Sequence, residues 1–246
     1  MSGGRIDLSG CRALVTGAAH RLGRALALSL AESGADVLIH CRSSQDAATE
    51  LANEIEKRGQ RAAVVVADLA NAEETATQFA GAIADFGGLD ILINNVGTIV
   101  WKDFEGLDAN DWRACLDGTL FATLHASEAA LPALRGSGRG RIINILDADA
   151  DSTDPVPFAT AYKIGKRGSY TLTKTMAVTE ASHGVTVNAV SPGTLEDSPT
   201  KPALDAIPAG RYGTYDDVAS AVLYLASEGA SYVTGAHLKV SGGYLI

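Results

Sequence analysis

Apolar positions follow two rhythms along this chain. Short runs that are apolar at consecutive positions, and rich in β-branched side chains, recur at 13–16, 37–40, 62–67, 91–94, 142–146, 185–190 and 237–240. Between them, apolar residues return every three or four positions over about 22–33, 45–58, 72–86, 109–134, 160–182 and 215–227. The first rhythm fits strands covered on both faces, and the second fits amphipathic helices. Gly34 and Gly59 end the first two helical stretches, as residues that tolerate positive φ do at a helix C-terminus. Strand and helix alternate, which predicts right-handed crossovers and a mainly parallel sheet of about seven strands with helices on both faces. No linker-like composition break and no solenoid repeat interrupts the order, so 1–246 reads as one α/β domain, with Met1 to Gly4 as a loose tail.

Composition narrows the function classes. With 46% of 246 residues hydrophobic, the chain can bury a large core, yet it has no apolar run of membrane-spanning length and no basic-then-apolar leader. The three cysteines, Cys11, Cys41 and Cys115, are too few and too scattered for a disulfide framework or a zinc site, which points to a reducing cytoplasm. A net charge of −9 without a basic block argues against nucleic acid as a partner.

The first strand runs straight into Thr16-Gly17-Ala18-Ala19-His20-Arg21-Leu22-Gly23, and a helix follows. A glycine turn at a helix N-terminus presents free backbone N–H groups to a pyrophosphate, although a plain β–α turn has the same look. The end of the second strand adds information. Nicotinamide enzymes that prefer NAD place a carboxylate there for the ribose hydroxyls, whereas this chain reads His40-Cys41-Arg42-Ser43-Ser44. A guanidinium followed by hydroxyls suits the 2′-phosphate of NADPH. Asp68-Leu69 and Asn95-Val96-Gly97 then close the third and fourth strands at their C-terminal edges, where open α/β sheets bind ligands. The expected fold is therefore a Rossmann-type doubly wound sheet carrying NADPH/NADP.

Tyr162 and Lys166 stand four apart in a helical stretch and so share a face. A phenol is a poor acid or base at neutral pH unless neighbouring positive charge lowers its pKa. In isolation the spacing is common, but its place in the chain is not. The ordered series Thr16-Gly17…Gly23, Asp68, Asn94-Asn95-Val96-Gly97, Tyr162…Lys166, Ser191-Pro192-Gly193 and Thr234-Gly235…Ser241-Gly242-Gly243 resembles the short-chain dehydrogenase/reductase family along nearly the whole chain. The resemblance implies Tyr162 as acid/base and Lys166 as the group that binds the nicotinamide ribose and tunes Tyr162. It also implies Pro192, Gly193 and Thr194 beside the nicotinamide, and a homotetramer or dimer. The expected cofactor set is completed by Gly17, His20, Arg21, Leu22, Gly23, Arg42, Ser43, Asp68, Leu69, Asn95, Val96 and Gly97.

Three positions depart from the family pattern. Arg21 stands where many relatives carry glycine, Asp147 follows the fifth strand where the usual serine stands, and Thr119 replaces the helix asparagine that supports a water relay. Arg21, His40-Cys41-Arg42-Ser43 and Asp147 are similar to pteridine reductases, in which the arginine touches cofactor and pterin and the aspartate assists the tyrosine. That branch also carries a stacking aromatic after the Asn-Asn motif, and here Ile99 takes the aligned position with Trp101 two residues on. The expected catalytic set is Tyr162, Lys166, Asp147 and Thr119. Arg21, Asp147, Trp101 and Tyr162 are expected to face the substrate.

Asp147, Asp149, Asp151 and Asp154 crowd one loop. A calcium loop is excluded, since Ser152 and Phe158 occupy the positions that need glycine and a bidentate glutamate. Either the loop is a solvated acidic surface or it draws a cationic substrate inward. The stretch 199–210, with its prolines and weak periodicity, reads as a substrate lid. The expected function is NADPH-dependent reduction of a C=O or C=N bond in a small molecule. The alternatives are a pteridine reductase proper, a non-catalytic NADPH sensor, or a structural partner in a biosynthetic complex. Replacing Arg42 with alanine is expected to weaken NADPH binding at least tenfold more than NADH binding; equal losses in a fluorescence titration would remove the 2′-phosphate assignment.

Overall fold

The computed structural model describes residues 6–245, so the tail expected over 1–4 lies outside the described residues. Seven strands form one parallel sheet in the order β3-β2-β1-β4-β5-β6-β7. They are β1 (Arg12–Val15), β2 (Asp36–Cys41), β3 (Ala62–Val66), β4 (Ile91–Asn94), β5 (Arg141–Ile145), β6 (Thr186–Pro192) and β7 (His237–Val240). The central strands β4, β5 and β6 are buried at every position, whereas the edge strands β3 and β7 are mostly half-exposed. This explains why the middle runs are apolar without alternation.

Successive strand residues feed two cores. Ala13, Val15, Ile91, Ile93, Ile143 and Ile145 face one side, with Leu26, Leu30, Val222 and Leu225 of α1 (Arg21–Glu32) and α7 (Tyr215–Ala226). Leu14, Leu92 and Ile142 face the other, with Phe79, Ala126, Leu134 and Met176. Those come from α3 (Ala72–Asp85), α5 (Ala122–Ser137) and α6 (Thr160–Glu180); α2 (Gln45–Lys57) and α4 (Ala109–Leu116) complete the set. The helix ends follow their side-chain chemistry. Asn71 caps α3, and capping boxes open α4 (Asp108 with Asp111) and α7 (Thr214 with Asp217).

The order in which strands are added to the sheet reverses between β1 and β4, which leaves a crevice at their C-terminal ends. Below it, a buried polar chain ties sheet to helices. Asn94 Nδ2 donates to Ser127 Oγ (2.9 Å) and Asn144 Oδ1 (2.8 Å), and Asn144 Nδ2 donates to Thr173 Oγ1 (2.8 Å).

One expected helix is two. The stretch 109–134 is interrupted at Asp117–Phe121 by a π-helical turn. There the backbone runs against the segment after β4: a Cβ on Gly118 would collide with the Thr98 side chain, and Thr98 N donates to Thr119 Oγ1 (3.1 Å). A single extra residue in a turn leaves no trace in a 3.6-residue rhythm.

Replacing Asn144 with alanine removes the middle of the polar chain and takes one hydrogen bond from each of two buried partners, Asn94 and Thr173. The expected cost, read from chemical denaturation, is roughly 2–4 kcal/mol.

Candidate active site

Two adjoining cavities cross the C-terminal edge of the sheet, of about 420 and 490 Å³, and they share Gly17, His20 and Val96 as walls. Cys41, Arg42, Ser43, Asp68 and Leu69 line the first. Arg21, Leu22, Gly23, Asn95, Gly97, Asp147, Tyr162, Lys166, Pro192 and Gly193 line the second. Residues scattered over the sequence motifs thus converge on one continuous crevice.

Three of the expected residues do not line it. Trp101 is 46% exposed and leans on Phe158, ring centroids 5.8 Å apart, away from both cavities. Thr119 is fully buried behind the crevice, where its hydroxyl also holds the Thr98 backbone. Thr194 is half-buried and bridges by its carbonyl to Gly213 N (2.9 Å). Within the stretch 199–210, which is mostly exposed, Ile207 is buried and Ala209 N donates to Gly242 O (2.9 Å).

The glycine loop is shaped by near contact. Gly17 adopts φ +61°, and a Cβ on Gly23 would strike the Gly17 carbonyl and lie 2.7 Å from Asn95 Nδ2. Asn95 Nδ2 in turn donates to Thr16 O (3.1 Å). Helix α1 begins behind this loop with no side-chain cap and no acidic residue in its first turn. Its N–H groups and positive dipole end therefore remain available to an anion.

His40, fully covered under the loop, accepts from Gly17 N at Nδ1 (3.1 Å) and faces Ala67 O through Nε2 (3.0 Å). These partners fit one neutral tautomer, with the proton on Nε2. Burial pushes the imidazole pKa down, against the pull of the Ala67 carbonyl and Asp68, and so favours the neutral ring. The sequence places His40 in the motif that ends the second strand but gives no sign that it supports the glycine loop from below.

At the other end, Lys166 is buried at 4% exposure, and its Nζ donates to Ile145 O (2.7 Å). Burial lowers its pKa to about 8, with Asp147 opposing. A Cβ at Gly97 would lie 3.1 Å from Lys166 Nζ, so glycine makes room for the ammonium there. Tyr162 stands beside it, with Lys166 Nζ 5.8 Å from the ring centre. The phenol pKa is raised well above its ordinary value, first by burial, then by Asp147, Asp149 and Cys115.

The acidic loop is compensated from within. Lys163 Nζ bonds Asp147 Oδ2 (2.6 Å) and Asp149 Oδ1 (2.8 Å), Lys239 Nζ bonds Asp151 Oδ1 (2.8 Å), and Ser152 Oγ bonds Asp154 Oδ2 (2.7 Å). These pairs offset much of the pull on a cationic substrate. Asp151 also faces His237, which meets the fully buried Ser191 (2.6 Å), so the loop is moored to β6 and β7. Arg21, in a left-handed conformation (φ +50°), pairs with Asp197 (2.7 Å), which also accepts from the Tyr215 hydroxyl.

Comparison with known proteins matches this arrangement. A family model described as enoyl-(acyl carrier protein) reductase matches residues 17–245. The chain is 33% identical to the 3-oxoacyl-(acyl-carrier-protein) reductase of Staphylococcus aureus over 239 residues, 94% of this chain and 96% of that one. The chain belongs to the short-chain dehydrogenase/reductase family. Another relative of this kind, an uncharacterized oxidoreductase of Escherichia coli, is 35% identical over 243 residues and 95% of each chain. Among solved structures, a gluconate 5-dehydrogenase from Burkholderia cenocepacia in complex with NADP and tartrate superposes with a TM-score of 0.90 at 30% identity, covering 97% of this chain and 96% of that one. A blue fluorescent protein from a metagenomic library in complex with NADPH gives 0.89 at 31% identity, covering 98% and 100%.

For a short-chain dehydrogenase/reductase, the buried Lys166 has a measurable consequence. Between pH 8 and 10.5 the unfolded chain keeps a proton that the folded site gives up, so stability rises with pH across that window. Below it, the fold carries the full cost of a desolvated ammonium. Lys166→Met is expected to be more stable than the parent at pH 7 by roughly 1–3 kcal/mol in urea melts, with the margin shrinking towards pH 10. A less stable variant at pH 7 would contradict this.

Proposed function

We propose that this oxidoreductase uses NADPH to reduce a C=O or C=N bond in a small molecule. The observation that carries the proposal is the placement of Tyr162, Lys166 and Asp147 in one cavity with the uncapped N-terminus of α1. The residues fit the cofactor on three counts. The glycine cradle leaves no space for a Cβ at Gly23, exposed Arg42 makes no ion pair among the described residues, and Lys166 is a buried cation with one carbonyl partner. The NADP and NADPH of the two superposed structures support the same assignment.

When bound, the nicotinamide supplies the hydride. Arg42 and Ser43 would hold the 2′-phosphate end, the α1 N-terminus the pyrophosphate, and Lys166 the ribose near the nicotinamide. Tyr162 holds its proton on the phenol oxygen and delivers it to the substrate oxygen or nitrogen as the hydride reaches carbon, giving an alcohol or an amine. Lys166 offsets the negative charge left on the phenolate. Exposed Phe121 and Ile164 would be covered in an assembly of like chains, which is part of the same proposal.

One observation favours a dihydropterin as substrate: Arg21 and Asp147 both line the second cavity. Trp101 lies outside it, so the ring that would stack on a pterin is not supplied from that position. The test is NADPH absorbance with purified protein and a panel of ketones, cyclic imines and dihydrobiopterin. Turnover is expected with at least one of them, and Tyr162→Phe is expected to reduce kcat by about 100-fold or more. A Tyr162→Phe variant with near-parental turnover would remove Tyr162 as the proton donor, and binding of NADPH with no turnover across the panel would favour a sensor instead.

A further inference from the structure

Lys163 belongs to none of the cofactor or proton-transfer positions above, yet it occupies the most charged spot near the reacting phenol. It follows Tyr162 in α6 and reaches back over the loop after β5, where its Nζ meets Asp147 Oδ2 at 2.6 Å and Asp149 Oδ1 at 2.8 Å. All three side chains are largely shielded, at 16–25% exposure. The other Asp147 oxygen accepts from Ala148 N (3.1 Å). Both oxygens of Asp147 are thus engaged by donors, which leaves it an acceptor and an anion rather than a source of protons.

Two carboxylates drawn to one ammonium would repel each other without it. The clamp carries two negative charges and one positive, so its net charge of −1 is held beside Tyr162. The remaining ionisable groups near the phenol are Lys166, on the same helix, and Cys115 of α4, whose thiol is pushed up by burial and stays neutral. We propose that Lys163 is a positioning residue that clamps Asp147 and Asp149 as paired anions beside Tyr162, holding the phenol in its proton-donating form and fitting the site to reduction rather than to alcohol oxidation. This rests on the reductase reading above. Oxidation needs the reverse transfer, in which the phenolate takes the hydroxyl proton while hydride leaves carbon for the oxidised nicotinamide, and a neighbouring anion opposes formation of that phenolate. The direction of the Tyr162 and Lys163 shifts agrees: burial and the two aspartates raise the phenol, and the aspartates outweigh burial in raising Lys163.

The experiment compares the full-length protein with its Asp149→Asn, Lys163→Met and Lys163→Arg variants. The first readout needs no turnover. Phenolate absorbance during alkaline titration, each protein measured against the same protein carrying Tyr162→Phe, isolates Tyr162. Its midpoint in Asp149→Asn is expected about one pH unit below the parent. The second readout is the pH profile of NADPH oxidation with a carbonyl substrate. Its alkaline limb should move down with Asp149→Asn while KM for NADPH stays within about twofold, and Lys163→Met should lower kcat about tenfold, with Lys163→Arg recovering most of it. An unmoved Tyr162 midpoint in Asp149→Asn, or a Lys163→Met loss that Lys163→Arg does not recover, overturns the clamp. Absence of turnover in the parent overturns the reductase reading instead, and the absorbance titration then decides the clamp alone.

Discussion

Lys166 carries its ammonium into a space where water is nearly absent and where its one hydrogen-bond partner among the described residues is the Ile145 carbonyl. A buried lysine without a carboxylate partner is unfavourable in the free protein, and burial accordingly brings its pKa to about 8. Much of the surrounding architecture serves to hold it there. The end of β5 supplies the carbonyl, α6 supplies the lysine, and the segment after β4 passes at Gly97, where a side chain would crowd the ammonium. The π-turn between α4 and α5 presses Thr119 against both Thr98 and Gly165, fixing that segment against the helix that carries Tyr162 and Lys166. With one partner for its three N–H groups, the ammonium has donors to spare.

The opposite end of the crevice is built from the same kind of local agreement. Gly17 turns under a positive φ, His40 catches its N–H from below, and Asn95 braces the loop from β4. Because β1, β2 and β4 are neighbours in the sheet, these residues meet at one height, and the helix that follows points its uncapped end at the crevice. Charge then varies along the groove in a useful order. Arg42 stands at one end, a helix N-terminus lies in the middle, and Lys166 stands at the other end with the anionic Asp147–Lys163–Asp149 clamp beyond it.

Much of this could be read from the chain. Strands apolar on both faces announce a buried parallel sheet, and Gly34 and Gly59 do end their helices at positive φ. The glycine loop, Arg42, Tyr162 and Lys166 carry recognisable spacing, and they do line adjoining cavities. What escaped the sequence is tertiary in origin. Thr119 holds the position expected of a catalytic relay residue, but one extra residue in a turn aims its hydroxyl at a backbone amide. Trp101 sits at a plausible distance from the Asn-Asn motif, but the ribbon formed by Asp103 and Phe158 turns it outward. The acidic loop reads as free charge because the lysines that compensate it, Lys163 and Lys239, arrive from other elements. The supporting role of His40 is hidden for the same reason, since both of its partners are main-chain groups just beyond the neighbouring strands β1 and β3.

In the proposed reductase Lys166 is the handle by which the protein holds NADPH, and proton linkage tests that most directly. Calorimetric binding of NADPH at pH 8.5, in two buffers of different ionisation enthalpy, counts the protons taken up on binding. If ligand hydroxyls relieve the desolvated ammonium, binding raises its pKa, and the parent takes up about half a proton that Lys166→Met does not. Equal proton uptake in the two proteins, or equal affinity for NADPH, would contradict the account.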